Sequence, residues 1–243
     1  MLEMITHLMR PASQPYEAGR FVVIPSLFSY QSGTGAQAYI EGGERSFVVS
    51  DGGGAIREFI SAGGGDDARK HLNAAKAYGL EVSQSGWIFR SGVCPEELTG
   101  WVPMIIEQSI AADNRLRRAH ARKQAAVHFK ERVNEIIRLV PSIKASRGAH
   151  ATGASLKKHL FDFGLEINGK TLVIDAVVQD ANAINSAIVS HLDVSQAHNP
   201  NVIQRIVYDD TSPWKTADLA LLGVGAPTLP AGSLASQLQR LAA

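Results

Sequence analysis

The sequence predicts an α+β protein in which two small modules are joined by a long helix. Hydrophobic residues make up 45% of the chain and charged residues 19%, which is typical of a globular protein with an ordinary core. Short β-type runs bounded by glycine turns lie near both ends, and the stretch between them has apolar residues at helical spacing. We therefore expect an N-terminal α+β module over residues 1–102, a connecting basic helix over 103–141 and a C-terminal α/β module over 142–243.

The N-terminal module is predicted to contain two hairpins and two helices. Apolar runs separated by glycine turns predict strands at residues 21–25, 37–41, 45–50, 80–83 and 87–90. Ile56, Phe59 and Ile60 share the spacing of one helix face, and Asp66 is predicted to open a second helix that ends near Tyr78.

The central stretch begins at Pro103 and is stopped by Pro141, so we expect a single helix between these prolines. The middle of this helix is polar and basic. Residues 144–155 are small and glycine-rich, which predicts a linker or an exposed loop.

The C-terminal module is predicted to begin near Leu156 with a hairpin. Asn168 and Gly169 separate two β-rich runs, and this dipeptide tolerates the positive φ angles of a type I′ turn. We expect strands at residues 160–167, 171–178 and 203–208, and helices at 181–192, 216–222 and 233–241.

Charge and cysteine content exclude several classes of function. The formal net charge of +1 gives no overall attraction to nucleic acid or to an acidic membrane. Cys94 is the single cysteine, so neither an internal disulfide nor a cysteine-based zinc site can form. No apolar run approaches the roughly 20 residues that cross a bilayer, and the N-terminus lacks the features of a secretory signal. We expect a cytoplasmic protein with no membrane association.

A phosphate-loop pattern ends at Lys170 and Thr171, after two glycines at the required spacing. An apolar strand followed by Asp209 and Asp210 resembles the acid that helps to hold magnesium in such proteins. A phosphate loop must open a helix, however, and the residues after Lys170 are β-branched and strand-like. Nucleotide binding through Lys170 and Thr171 is therefore kept as an alternative that the local pattern disfavours.

The predicted hairpin also places acids on its two strands, Asp162 on the first and Asp175 on the second. Metal-dependent phosphodiester cleavage needs carboxylates that converge from neighbouring strands, with a lysine nearby. The arrangement resembles the PD-(D/E)XK nuclease superfamily, with Asp162 as the first acid and Asp175 as the second. Val177 stands at the position of the family's lysine, so Lys157, Lys158 or Lys170 would have to replace it.

This resemblance implies a magnesium-dependent nuclease, while the missing lysine favours a scaffold that binds without cutting. The alternative for Asp162 and Asp175 is that both are ordinary carboxylates at a strand end or a sheet edge, since most carboxylates are solvated surface groups.

The N-terminal module resembles an uncharacterised bacterial and phage family of unknown function, number eighteen-twenty-eight. The matching features are the strands at 21–25 and 38–40, the turn at 47–52 that leads into 56–59, and the residues up to Trp101. Residues 150–243 are similar to its companion domain, number eighteen-twenty-nine. The resemblance implies a role in prophages or mobile elements. Asp51 is the position of interest in it, with a turn and helix cap as the favoured interpretation.

Arg115, Arg118 and Arg122 share a face of the long helix and are the local candidate for phosphate contact. The alternative is a solvated surface or pairing with Glu107, Asp113 or Glu131. His191 and His198 flank a predicted helix end without an acid at metal-ligand spacing, so they predict no metal site.

The leading hypothesis is a non-enzymatic accessory protein of a mobile element that binds nucleic acid or a host defence protein. A metal-dependent nuclease using Asp162 and Asp175 is the second hypothesis, and a nucleotide-binding protein is the third.

Overall fold

The computed structural model describes residues 14–43, 45–65 and 68–242. The chain divides into two compact units, Met1–Ala121 and Arg122–Ala243. Each unit contains a β-sheet with helices, so the α+β class is confirmed. None of the helices within the described ranges combines the length and apolar character needed to cross a membrane.

The strands of the first unit are β1 (Tyr16–Ala18), β2 (Phe21–Ser29), β3 (Gly35–Gly42), β4 (Phe47–Ser50), β5 (Glu81–Val82) and β6 (Ile88–Val93). They form a six-stranded antiparallel sheet with the order β1-β2-β3-β4-β6-β5. Both predicted hairpins are confirmed, because β3 pairs with β4 and β5 pairs with β6.

Helices cover one face of this sheet. They are α1 (Gly54–Ser61), α2 (Arg69–Leu72), which continues into a 3-10 helix at Asn73–Tyr78, and the start of α3 (Leu98–Arg138). The predicted opening of the second helix at Asp66 lies outside the described residues. Val49, Leu72 and Ile105 are fully buried at the centre of this unit's core.

The long helix α3 begins before the predicted Pro103, which lies inside it. A 3-10 turn at Pro95–Glu97 precedes it, and the Cys94 N–H donates to Glu97 Oε2 at 3.1 Å. A proline in the first turn and an acid that caps it, here Pro95 and Glu97, are ordinary signals for the start of a helix. The prediction missed them because it relied on apolar spacing, which is intermittent in this stretch. Leu116 belongs to the core of the first unit and Val133 to that of the second, so the predicted connector supplies core residues to both.

The elements of the second unit are β7 (Lys144–Thr152), β8 (Lys158–Ile167), β9 (Lys170–Val177), α4 (Ala181–Gln196), β10 (Val202–Tyr208), α5 (Thr216–Gly225), β11 (Thr228–Pro230) and α6 (Leu234–Ala242). The strands form a five-stranded mixed sheet with the order β11-β10-β9-β8-β7. β8 pairs antiparallel with both β7 and β9, whereas β10 pairs parallel with both β9 and β11. The end of α3 and α6 pack on one face of the sheet, whereas α4 and α5 pack on the other.

The predicted linker at 144–155 is wrong, because most of it is the edge strand β7. Nearly all of its side chains are exposed, so no alternation of apolar residues marks it. Backbone pairing with β8 forms this strand, and that pairing leaves no pattern in the side chains.

Candidate functional site

The candidate site lies where the ladder between β8 and β9 opens. Backbone pairing runs from Ile167 and Lys170 at the turn to Phe163 and Ile174. Beyond that point β8 remains paired with β7, and β9 with β10. The next residues along the two strands are Asp162 and Asp175, so the structure brings the two predicted acids together.

The two carboxylates fill the opening between the strands. The Asp162 N–H donates to Asp175 Oδ1 at 3.1 Å, and the Ala176 N–H donates to Asp162 Oδ2 at 3.0 Å. Each carboxylate therefore accepts an amide hydrogen of the opposite strand. The side chains of Asp162 and Asp175 are 19% and 15% exposed, so both carboxylates are half-buried and neither is fully solvated.

A lysine does contact the pair, but it comes from α3. Lys130 Nζ forms an ion pair with Asp162 Oδ1, and its side chain is 46% exposed. Val177, where the nuclease resemblance would place a lysine, is buried in an apolar cluster with Ile184 and Leu222, where no ammonium could be solvated. Lys130 lies in the basic stretch of the predicted helix, and nothing in its spacing links it to β8, which it meets only through packing.

Burial raises the pKa of Asp162 above its usual range. The hydrogen bonds from Lys130 and the Ala176 N–H lower this pKa, and the charge of Asp175 raises it. Because burial is the strongest of these influences, the Asp162 carboxyl is protonated more readily than a solvated aspartate.

His191 on α4 approaches the other carboxylate. Its Nε2 lies 3.4 Å from Asp175 Oδ2 and, among the described residues, has no hydrogen-bond partner. The ring is fully buried against Phe161, with the ring centroids 4.9 Å apart. Gln204 on β10 contacts His191 Nδ1 at 2.9 Å. With the Gln204 amide turned so that its nitrogen donates to Nδ1, the Nε2 proton of His191 faces Asp175.

Magnesium is commonly held by one or two carboxylates together with water and substrate phosphate. Asp162 and Asp175 supply two carboxylates of this kind. The described part of the chain contains no group of three or more His, Cys, Asp or Glu residues suited to a metal. Among those residues no closed site of protein ligands is found, so an ion held by this pair would share its coordination with water or a phosphate.

The residues of the phosphate-loop pattern form a hairpin. Asn168 and Gly169 have φ angles of 50° and 75°, and Lys170 and Thr171 start β9. The Thr171 N–H donates to Asn201 O at 2.8 Å, so it does not point at a vacant anion site. The phosphate-loop interpretation is corrected here, because these residues open no helix and present no row of free amides.

Asp209 and Asp210, the acids associated with that pattern, both pair with Arg132 on α3. Their Oδ1 atoms lie 2.8 Å and 3.0 Å from Nη1 and Nη2 of the guanidinium. Asp210 Oδ2 also accepts the Gly232 N–H at 2.9 Å. These carboxylates therefore tie α3 and the start of the Ala231–Ser233 turn to the end of β10.

The three arginines predicted on one helix face differ in their surroundings. Arg118 is exposed, and Arg122 lies 3.7 Å from Asp180. Arg115 is half-buried, and its Nε and one Nη have no partner within the described ranges. Of the acids considered as partners, Asp113 pairs with Arg117 and Glu131 with Arg147. Contact of this face with nucleic acid stays a prediction.

Asp51 in the first unit is a structural carboxylate. It is 1% exposed and accepts the N–H groups of Gly53, Ala55 and Ile88 at 2.8, 3.2 and 3.0 Å. Ser109 Oγ donates to it at 2.9 Å. Its interpretation as a turn and helix cap is confirmed.

Comparison with known proteins gives no family. No family model matches the chain, and no curated protein matches it. The crystal structure of AF1548, a protein of unknown function, matches 42% of the chain with a TM-score of 0.31 and 11% identity. That of protein VC1899 from Vibrio cholerae matches 79% with a TM-score of 0.30 and 11% identity. The chain spans about half the length of each, 57% and 50%. Likenesses at these TM-scores carry no argument.

Proposed function

We propose that the second unit hydrolyses phosphodiester bonds of a nucleic acid with the help of a divalent metal ion. The observation that carries this proposal is the pair of half-buried carboxylates, Asp162 and Asp175, at the opening of the β8–β9 ladder with Lys130 beside them. A magnesium-type ion is commonly bound through one or two carboxylates, and the two carboxylates here lie together on neighbouring strands.

The residues of the chain have separate parts in this proposal. A bound divalent ion supplies Lewis-acid activation of a phosphate oxygen and of the attacking water. Asp162 and Asp175 would hold that ion, and the amide hydrogen bonds that they accept keep both carboxylates in place. Lys130 is exposed enough to meet substrate, and it provides the positive charge that Val177 does not. His191 backs Asp175 from the buried side.

A second candidate is binding of a nucleic acid or a host defence protein without cleavage, as an accessory protein of a mobile element. It is favoured by the fact that Lys130 already pairs with Asp162 and that His191 lies against Asp175. Side chains of the protein itself would then take the place of the metal, and the second unit would be a scaffold.

The test is cleavage of single- and double-stranded DNA and RNA with magnesium or manganese. Asp175→Asn should reduce the rate about a hundredfold or more, since a metal contributes several kcal/mol of transition-state stabilisation. Asp162→Asn should do the same, and Lys130→Ala should lower the rate while leaving metal binding in place. Glu166→Gln is the matched control, because Glu166 is an exposed acid on the same strand as Asp162.

Metal-dependent cleavage that survives Asp175→Asn would sink the proposal, because the activity would come from elsewhere. Absence of cleavage with salt-sensitive binding of DNA or RNA would favour the second candidate. Absence of both would direct the search to a protein partner by pull-down from host lysate. Thermal melting of each variant separates loss of chemistry from loss of fold.

A further inference from the structure

The first unit carries a shallow groove on the face of its sheet that points away from the core. On β3 and β4 the core side is taken by Ala38 and Val49, so the intervening side chains point to the opposite face. That face holds a groove of about 260 Å³. We call it the aromatic groove, and the lining residues that matter are Phe21, Glu41, Val48, Trp87 and Phe89.

Aromatic rings dominate this groove and remain accessible. Phe21, Trp87 and Phe89 are each half-buried, and Val48 between them is 37% exposed. The Phe21 and Trp87 rings lie with their centroids 6.4 Å apart at an angle of 55°. Tyr39 meets Phe21 edge-on at 5.9 Å and supports it from the side. Such ring faces carry negative electrostatic potential, which attracts cations.

The protein already places one of its own cations on this surface. The Arg20 guanidinium lies 5.0 Å from the centroid of the Phe21 ring, and Arg20 Nε is 3.1 Å from Glu41 Oε1. The ring and the carboxylate thus hold a guanidinium together at the rim of the groove. The Arg20 side chain is 70% exposed, so this ion pair is weak and open to competition.

The charge of the lining decides which partner fits. Among the described residues that line the aromatic groove, Glu41 is the ionisable one, and none is a lysine or an arginine. A nucleic acid that stacks its bases on aromatic rings also needs basic residues along its phosphates, and this groove offers a carboxylate in their place. Aromatic faces combined with a carboxylate are the arrangement that binds a cationic group.

We propose that the aromatic groove binds an arginine or lysine side chain from a basic segment of a partner protein, with Arg20 occupying part of the same surface in the free protein. The cation would lie over Phe21 and Trp87 and pair with Glu41. This inference concerns the first unit and is independent of the nuclease proposal, which concerns the second.

The test is binding of a fluorescently labelled tetra-arginine amide to the full chain at low ionic strength, followed by anisotropy. The neutral isostere, tetra-citrulline amide, should not bind. Glu41→Gln and Phe21→Leu should each weaken binding about fivefold, since each removes roughly one cation contact. Glu96→Gln is the matched control, because it removes the same charge from an exposed site outside the groove.

Arg20→Gln should strengthen binding of the peptide about threefold, because the competing guanidinium is gone. Lys76→Gln, which removes one positive charge from an exposed site elsewhere in the unit, should leave the affinity unchanged. The proposal would be overturned if Glu41→Gln and Glu96→Gln had equal effects, or if Arg20→Gln and Lys76→Gln did. Equal binding of the citrulline peptide would also overturn it. Binding of an oligothymidylate that displaces the arginine peptide and is weakened by Phe21→Leu would overturn it in favour of single-stranded nucleic acid.

Discussion

At the scale of single residues, the role of each buried carboxylate follows from the donors that face it. Asp51 accepts four hydrogen bonds and organises a turn. Asp162 shares its oxygens between a lysine and an amide of the next strand, and burial raises its pKa. Asp193 on α4 accepts Ser155 N–H at 2.9 Å and Ser155 Oγ–H at 2.5 Å, and contacts His159 Nε2 at 2.7 Å. An aspartate side chain can therefore organise a turn, form part of a candidate site or connect two segments, and its neighbours decide which.

Asp193 provides a prediction on acid stability. The Ser155 hydroxyl, together with His159 and the Ser155 N–H, lowers the pKa of Asp193 from 3.8 to about 2. A carboxyl whose pKa is depressed by folding contributes stability above its unfolded value and loses it as the pH falls through its folded value. Between about pH 4 and pH 2, Asp193→Asn should therefore lose less stability than the wild type, although it is less stable at neutral pH.

Urea unfolding at a series of pH values between 2 and 6 measures this effect. Asp218→Asn, in the same unit, is the comparison that accounts for a change of net charge. Parallel pH curves for the wild type and Asp193→Asn would show that the hydrogen bonds to Asp193 contribute nothing to folding.

At the scale of elements, the candidate site depends on the turn between β8 and β9. The two-residue turn at Asn168 and Gly169 sets the register of β8 and β9, and residues equally distant from it face each other. Asp162 and Asp175 are such a pair. Asn168 Nδ2 also donates to Leu241 O at 3.0 Å, which ties the turn to α6.

Two glycine substitutions isolate the conformational requirement of this turn. Gly169 has a φ of 75° with open space where a Cβ would lie, whereas Gly223 has equally open space inside α5 without a positive φ. Gly169→Ala should cost about 1 to 2 kcal/mol, because an alanine in the left-handed region is strained. Gly223→Ala should stabilise the protein by about 0.5 to 1 kcal/mol, because glycine is disfavoured in a helix.

Chemical denaturation of both variants gives the two free energies of unfolding. A stabilising effect of Gly169→Ala would argue against the type I′ turn, and with it against the register that brings Asp162 and Asp175 together.

At the scale of the whole molecule, each unit has its own apolar core. Leu72 is fully buried in the first unit and Leu165 in the second. The helix α3 supplies residues to both cores through different stretches of its length. Stability is consequently expected to be distributed over two cooperative parts instead of one.

Leu72→Ala and Leu165→Ala should each cost about 2 to 5 kcal/mol in the unit that contains the substitution. Hydrogen exchange read by mass spectrometry resolves the two parts. We expect faster exchange in the sheet of the substituted unit and unchanged exchange in the other sheet. Equal loss of protection in both sheets after either substitution would show that the chain unfolds as a single cooperative unit.

Much of the fold was predictable because it depends on local patterns. The α+β class, both hairpins of the first unit and the Asn168–Gly169 turn follow from alternation, helical spacing and turn residues, which act between near neighbours in sequence. The acids Asp162 and Asp175 were predictable for the same reason, since a two-residue turn determines which residues of its strands meet. The strand β7 was missed because its formation depends on a partner strand and leaves no mark in its own exposed side chains.

The sequence by itself determined most of the elements and the two acids, whereas only the tertiary structure decided the edge strand β7 and what surrounds the acids. Lys130 and His191 lie on α3 and α4, and reach Asp162 and Asp175 only because these helices pack on opposite faces of one sheet. The aromatic groove likewise joins residues of β2, β3, β4 and β6 that the sheet order makes neighbours. Contacts of this kind are set by packing between distant segments, and their spacing in sequence carries no trace of them.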